Sequence, residues 1–210
     1  MKRLIVQAAV LLAGGLTLVG FGAVSSLLSG REPLVAPVVA DTPAIDSASA
    51  LAEMRGQLKA TRAELERAHQ IMEFSSRYKI TADLASAIYD HAVTERIPPA
   101  LGFALVKIES RFENTARSYA SAIGLTQLRL PTARSYDASV EVSDLMNRDV
   151  NLKIGFRYLR DLLDQFDNDV ALALEAYNKG PTLVMAQREM GEEVRGKYSR
   201  AVLSGVRRRS

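Results

Sequence analysis

The segment "PPALGFALVKIESRFEN", residues 98–114, sets a carboxylate, Glu109, among apolar neighbours. At about 100° per residue, Leu101, Ala104, Leu105, Ile108 and Phe112 form one continuous stripe of a helix, and Glu109 falls beside it. Its neighbours three and four residues away are Leu105, Val106, Phe112 and Glu113, whereas Lys107 and Arg111 lie roughly 160° round the cylinder. No cation stands at helical spacing to neutralise it. A carboxylate in such surroundings favours its protonated form, because desolvation penalises the charge, and a raised pKa is what a general acid needs near neutral pH. The plain alternative is a glutamate at a helix end that turns into solvent or pairs with a distant arginine, and the helix alone does not decide between them.

Other chemistries lack the residues. The 210-residue chain has no cysteine, which excludes disulfides, thiol nucleophiles, thiolate metal sites and the lipid-modified cysteine of a bacterial lipoprotein. With His69 and His91 as the only histidines, a histidine-rich metal site is not expected, and no cofactor is called for. His91, at the edge of an apolar stripe, reads as a satisfied structural histidine and His69 as an exposed one. The net charge is +3, from 27 basic and 24 acidic side chains that are interleaved. That fits weak attraction to an anionic polymer or membrane face and gives no nucleic-acid footprint. Arg207, Arg208 and Arg209 form the one basic run, a solvated tail over residues 207–210.

The elements that must position Glu109 read as short helices. Thr81 can cap a helix carrying Leu84, Ile88 and Ala92 that ends before Pro98, and Pro98 and Pro99 suit the next helix start, where a missing N–H is no loss. Asp149 is placed to cap a helix with Leu152, Phe156, Leu159, Leu163 and Phe166 on one face. Asp167 to Asp169 punctuate, "VALALEAYN" forms a further helix that Gly180-Pro181 stops, and Val194, Tyr198, Ala201 and Val202 stripe a last one. No period-two run follows residue 75. The fold class expected is mainly α.

Ahead of this domain, residues 4–24 carry Gln7 and Thr17 as their only clearly polar residues, behind the cations Lys2 and Arg3. A run of about 20 suits a bilayer span, which makes residues 1–28 a signal-anchor with the remainder outside the inner membrane. The rival is a long signal peptide cut near Ala40. Residues 29–49, with Pro33, Pro37 and Pro43, read as an extended linker. Residues 50–76 form an amphipathic helix whose Leu51, Met54, Leu58, Thr61, Leu65, Ala68 and Met72 make a heptad seam. That seam is expected to dock on the following domain, residues 77–206; a homodimer or another partner on it is the alternative.

Three segments, taken together, resemble the bacterial lytic transglycosylases of the Slt catalytic-domain type, which share the lysozyme-like fold. They are "IPPALGFALVKIESRFENTARS" with its Glu109-Ser110, "SYASAIGLTQL" with Gly124, Leu125, Thr126 and Gln127, and "NLKIGFRYL" with "ALALEAYNKGP", which holds Ala176, Tyr177 and Asn178. The resemblance runs over about half the chain, in the family's order. It implies a lysozyme-like helical domain in which Glu109 is the sole catalytic acid and base. Ser118 and Gln127 would hydrogen-bond the sugar or its acetamido group, and Tyr177 would line the same site. Asn178 would secure the turn after Tyr177 rather than touch substrate, though it stands with the binding residues, and Gly124 would permit close backbone approach.

The resemblance further implies cleavage of the β-1,4 bond between N-acetylmuramic acid and N-acetylglucosamine in peptidoglycan, without water, to leave a 1,6-anhydro ring. The expected partners are therefore the glycan strands, with the inner membrane met through the N-terminal helix and the domain held in the periplasm. Two departures stand out. Thr126 replaces the family's usual methionine, and Arg129 replaces an apolar wall residue, which bears on subsite preference. A lysozyme-type hydrolase would need a second carboxylate, for which Glu113 is the candidate on the same helical face. A membrane-tethered scaffold that binds glycan without cleaving it is the rival of another class.

Overall fold

The computed structural model describes residues 47–207. A long first helix, α1 (Ser47–Tyr78), is followed by α2 (Ala82–Thr94) and α3 (Pro99–Ser110). A two-stranded hairpin, β1 (Ala122–Ile123) and β2 (Leu128–Arg129), precedes the short α4 (Leu130–Arg134) and a 3₁₀ turn at Asp144–Met146. Then come α5 (Arg148–Gln165), α6 (Val170–Lys179), α7 (Pro181–Glu189) and α8 (Lys197–Arg207). Among these helices none is long and apolar enough to cross a membrane. The expected anchor, residues 1–28, lies outside the described part, as does the expected linker, residues 29–49, up to residue 46; its last three residues, 47–49, are instead the first turn of α1.

The caps that punctuate the sequence do most of the local work. Thr81 Oγ1 accepts the N–H of Leu84 at 3.2 Å and opens α2. Asp169 Oδ1 accepts the N–H groups of Ala171 and Leu172 at 3.0 and 3.1 Å and opens α6. The cap of α5 is Asn147, not Asp149: its Oδ1 takes the N–H groups of Asp149 and Val150, which places Asp149 in the first turn. From there Asp149 Oδ1 meets His91 Nε2 at 3.1 Å, the structural partner expected for that histidine. Gly180, at φ +92°, closes α6, and Pro181 at once opens α7, a helix the sequence reading did not include. The hairpin also escaped it, because strands of two residues carry no period.

α3 is buried on nearly every side: Leu101, Phe103, Ala104, Leu105 and Val106 are in the core. The expected single stripe was too narrow, since Ile108 is 40% exposed while Phe103 and Val106 are covered. The cause is position. α3 packs against α2 and α8, and Phe103 stacks on Phe74 of α1 with ring centroids 4.1 Å apart. α5 presents Leu152, Phe156, Leu159 and Leu163 to this main core, as its spacing requires. Ile154 faces a second apolar cluster with Ile123, Leu128, Ala133, Val140 and Leu145. On α8 the expected stripe is kept by Val202 and partly by Tyr198, but Ala201 is exposed.

α1 docks through its last turns only. Ile71 and Phe74 are buried, and Arg67 pairs with Asp90 of α2, its Nε 2.7 Å from Oδ1. The heptad seam does not take part: Leu51, Met54, Leu58, Leu65 and Met72 are all exposed. Ile71 lies about 100° from Met72 on the cylinder, so the docking face and the seam are different faces of one helix.

Candidate active site

α3 ends immediately beyond Glu109. Arg111 and Phe112 both take left-handed backbone, φ 55° and 69°, a conformation that costs a side-chain-bearing residue about 1 kcal/mol. Ser110 sustains the turn: its hydroxyl donates to the Val106 carbonyl at 3.1 Å and accepts the N–H of Phe112 at 3.2 Å. Glu109 is thereby the last side chain the helix aims inward, at the floor of a cleft of about 390 Å³. All five residues singled out in the sequence, Glu109, Ser118, Gln127, Tyr177 and Asn178, line that cleft. Among the described residues it is the sole carboxylate in the lining. Glu113, the one candidate for a second, is exposed, accepts the Thr115 hydroxyl and does not reach the cleft.

Burial pushes the Glu109 carboxyl up to about 7, and a hydrogen bond donated by the Tyr198 hydroxyl to Oε1 opposes part of that rise. Lys107 and Arg111 stay on the exposed far side, with Lys107 Nζ over the Tyr78 ring at 5.4 Å, and no cation pairs with Glu109 among the described residues. At neutral pH such a group is close to half protonated, able to give a proton and then to take one back.

The opposite wall is the loop between β1 and β2, held from behind by Asn151 of α5. This fully buried amide uses all four of its hydrogen-bonding positions. Nδ2 donates to the carbonyls of Ile123 and Leu145, both at 2.9 Å, and Oδ1 accepts the N–H and hydroxyl of Thr126 at 2.8 and 2.7 Å. The local packing accommodates threonine at position 126. Thr126 is fully buried against α5, where Gly155 leaves space that a Cβ would fill at 2.3 Å from its hydroxyl. Gly124, at φ +78°, is required as expected: a Cβ there would sit 2.3 Å from Asn151 Nδ2.

Gln127 itself is left-handed at φ 48°, and its Nε2 donates to the carbonyls of Ala116 and Gly124 at 3.1 and 3.0 Å. Both amide protons are thus engaged, and Oε1 remains as an acceptor on the cleft wall. Ser118 Oγ accepts the N–H of Ala122 at 3.0 Å. The Tyr177 hydroxyl donates to the Thr126 carbonyl at 2.9 Å, tying α6 to the loop. Burial pushes that phenol well above its usual value, and the Glu109 charge adds to the rise. Asn178 does not secure a turn: it lies within α6, exposed at the rim, and no hydrogen bond of its side chain is seen among the described residues. Arg129 is exposed where this cleft adjoins a second one lined by Arg117 and Pro131.

Two residues of this arrangement were not singled out as site residues in the sequence. Tyr198 stood only as a member of a terminal stripe, and Asn151 only as the first letter of a motif.

Comparison with known proteins decides the family. The chain matches the Transglycosylase SLT domain over residues 86–198, just over half its length. This protein belongs to that family. Its fold is the family's lysozyme-like helical one. An inactive glutamate-to-glutamine mutant of the lytic transglycosylase Slt from Pseudomonas aeruginosa is 26% identical, with a TM-score of 0.53 over 58% of this chain and 23% of that one. The 70-kDa soluble lytic transglycosylase from Escherichia coli matches at 23% identity and a TM-score of 0.53, over 63% of this chain and 24% of that one. A complex of the 70-kDa soluble lytic transglycosylase with bulgecin A gives 21% and 0.54 over the same shares. The chain spans less than a quarter of the length of these relatives, and the last two bear on fold alone.

Proposed function

We propose that this protein is a peptidoglycan lytic transglycosylase, cleaving the β-1,4 bond between N-acetylmuramic acid and N-acetylglucosamine to leave 1,6-anhydromuramyl ends. The observation that carries the proposal is the single desolvated carboxyl group, Glu109, in a cleft otherwise lined by neutral and basic side chains. Protonated Glu109 gives its proton to the glycosidic oxygen as positive charge grows on the muramyl ring. The substrate's own acetamido group takes the part that a second carboxylate takes in most glycosidases. Ionised Glu109 then accepts the proton of the C6 hydroxyl as its oxygen bonds to the anomeric carbon, closing the ring. A tethered nucleophile gains from proximity and needs no bound water. The inactivity of the glutamate-to-glutamine Pseudomonas relative supports an essential glutamate.

Ser118, Gln127, Tyr177 and Asn178 are the proposed substrate-binding residues, and Arg129 is proposed to meet a carboxylate of the wall peptide. We extend the proposal to the layout: residues 1–28 anchor the protein in the inner membrane, the linker runs from residue 29 to the start of α1 at Ser47, and α1 holds the catalytic domain out in the periplasm.

Digestion of purified sacculi followed by mass spectrometry tests the reaction. Products lighter by one water than those of hydrolysis are expected, and none with Glu109→Gln. Reducing-end muramic acid would instead establish a hydrolase, and retained binding with no product a scaffold.

A further inference from the structure

Glu175 is the most deeply buried charged side chain that the reaction above leaves unused. It sits in α6 two residues before Tyr177, fully covered. At about 100° per residue the two point to opposite sides of the helix, Tyr177 into the cleft and Glu175 toward α8. Glu175 Oε1 accepts the N–H groups of Gly196 and Ser199, both at 2.9 Å, and Lys179 Nζ lies 2.9 Å from Oε2. Gly196 and Ser199 bracket the first turn of α8, whose free N–H groups need acceptors. An adjacent cap residue usually supplies one. Here Gly196 has no side chain to offer, and a Cβ in its place would stand 2.8 Å from both Glu175 oxygens.

Burial pushes the Glu175 carboxyl up, yet the N–H of Ser199, the Lys179 ammonium, the Ser199 hydroxyl and the N–H of Gly196 together hold it below its ordinary value, so it is charged. A buried charge is retained against a desolvation cost, and here the paired geometry fixes what it holds in place. Between the two anchored residues stands Tyr198, whose hydroxyl donates to Glu109.

We propose that Glu175 is a positioning residue: it caps α8 across the helix interface, fixes the rotation of that helix, and so holds Tyr198 against Glu109. The proposal rests on Glu109 being the acid. The charged or titratable groups facing these carboxylates are Lys179 from α6 and Tyr198 from α8, with Tyr177 beside Glu109.

The test is a cycle read by NMR titration of the ¹³C-labelled Glu109 carboxyl, independent of turnover. Tyr198→Phe removes the donor and is expected to raise the Glu109 midpoint by about one unit, tenfold in its ionisation constant. Glu175→Ala is expected to raise it in the same direction, and the double variant no further than Tyr198→Phe alone. Glu175→Gln, which keeps an oxygen for Gly196 and Ser199, should stay near wild type. Should Glu175→Ala not fold, Gly196→Ala displaces the carboxylate from the other side and is expected to raise the midpoint likewise. Turnover should fall in Glu175→Ala with KM little changed. A Glu109 midpoint that stays or falls in both the Glu175→Ala and Gly196→Ala variants, or one that rises further in the double variant, overturns the proposal. Sacculus digestion unimpaired by Glu109→Gln would instead defeat the reading of Glu109 while leaving the titrations to judge the anchor.

Discussion

A carboxyl group kept protonated by burial destabilises the fold once the pH compels it to ionise, and Glu109→Gln should expose that cost. The folded-state value of about 7 lies above the ordinary 4.5. Between these values the folded chain binds more protons than the unfolded one, so its stability falls as pH rises. Below about 4.5 the group is neutral in both states and contributes nothing. Above about 7 it is ionised in both, and the full difference is expressed. At about 1.4 kcal/mol for each tenfold in the ionisation constant, the displacement corresponds to about 3 kcal/mol. Glutamine has nearly the same volume, keeps an oxygen for the Tyr198 hydroxyl and cannot ionise, so the variant escapes the penalty. Its new amide protons need acceptors in the cleft, which makes about 3 kcal/mol an upper figure.

Urea unfolding of wild type and Glu109→Gln at pH 4 and pH 8 measures this directly. Matched midpoints at pH 4 are expected, with the variant more stable by up to about 3 kcal/mol at pH 8 and inactive on sacculi throughout. A gap of equal size at both pH values would refute the reasoning, because it would arise from packing and not from titration. A wild type more stable than the variant at pH 8 would refute it too, since Glu109 would then be a paired or wetted carboxylate.

Asn151→Ala leaves two carbonyls and the Thr126 N–H without their partner, while the Thr126 hydroxyl keeps the Asn151 backbone carbonyl at 3.2 Å; at about 1–3 kcal/mol for each of the buried orphans it should destabilise the domain by at least about 3 kcal/mol in chemical denaturation. Arg129→Met should restore an apolar wall, raising KM for peptide-bearing glycan more than for glycan stripped of its peptides in a kinetic comparison of the two. The exposed seam of α1 predicts a parallel two-stranded association. Arg55, Arg62 and His69 would face one another across an antiparallel pair, whereas the parallel one brings Glu64 beside His69 of the other copy. Sedimentation of residues 47–210 should show a dimer that Leu58→Glu dissociates, while a monomer at every concentration would refute the pairing.

What was legible in the sequence was what local physics determines. Thr81, Asp169 and the proline at the start of α3 terminate or open helices with side chains of their own, so those boundaries could be read without tertiary structure. Glu109 was visible because its own helix supplies its apolar surroundings. Tyr198, which supplies its hydrogen bond, lies 89 residues further on and carries no local mark beyond an aromatic ring in a polar helix. Glu175 reads in one dimension as a solvated glutamate on a short helix, and only the approach of α8 turns it into an anchor. The seam of α1 misled because heptad spacing identifies an apolar face without naming what covers it. Docking instead used Ile71 and Phe74, one position and two positions away from the seam residue Met72.

The polarity of the cleft follows from how its walls are fastened. Gln127 and Tyr177 spend their protons on the carbonyls of Ala116, Gly124 and Thr126, and so present oxygens to a ligand. Donors available to it among the described residues include the hydroxyls of Ser118, Thr132 and Tyr158, the Asn178 amide and the Arg129 guanidinium at the rim. A sugar entering this cleft would therefore turn its N–H and hydroxyl protons toward the Gln127 and Tyr177 wall and its carbonyl oxygens toward Ser118 and Asn178. An acetamido group has one donor and one acceptor at opposite edges of a rigid plane, so this distribution can fix the orientation of that plane as well as its place. On the proposed reaction, a fixed acetamido plane would let the anomeric carbon present one face to its own C6 hydroxyl and set the glycosidic oxygen before Glu109. Gln127→Glu tests the assignment: a carboxylate can donate to neither the Ala116 nor the Gly124 carbonyl. The loop should loosen, and turnover should fall more than binding does. Equal turnover with intact binding would mean that the wall's polarity has no part in the reaction.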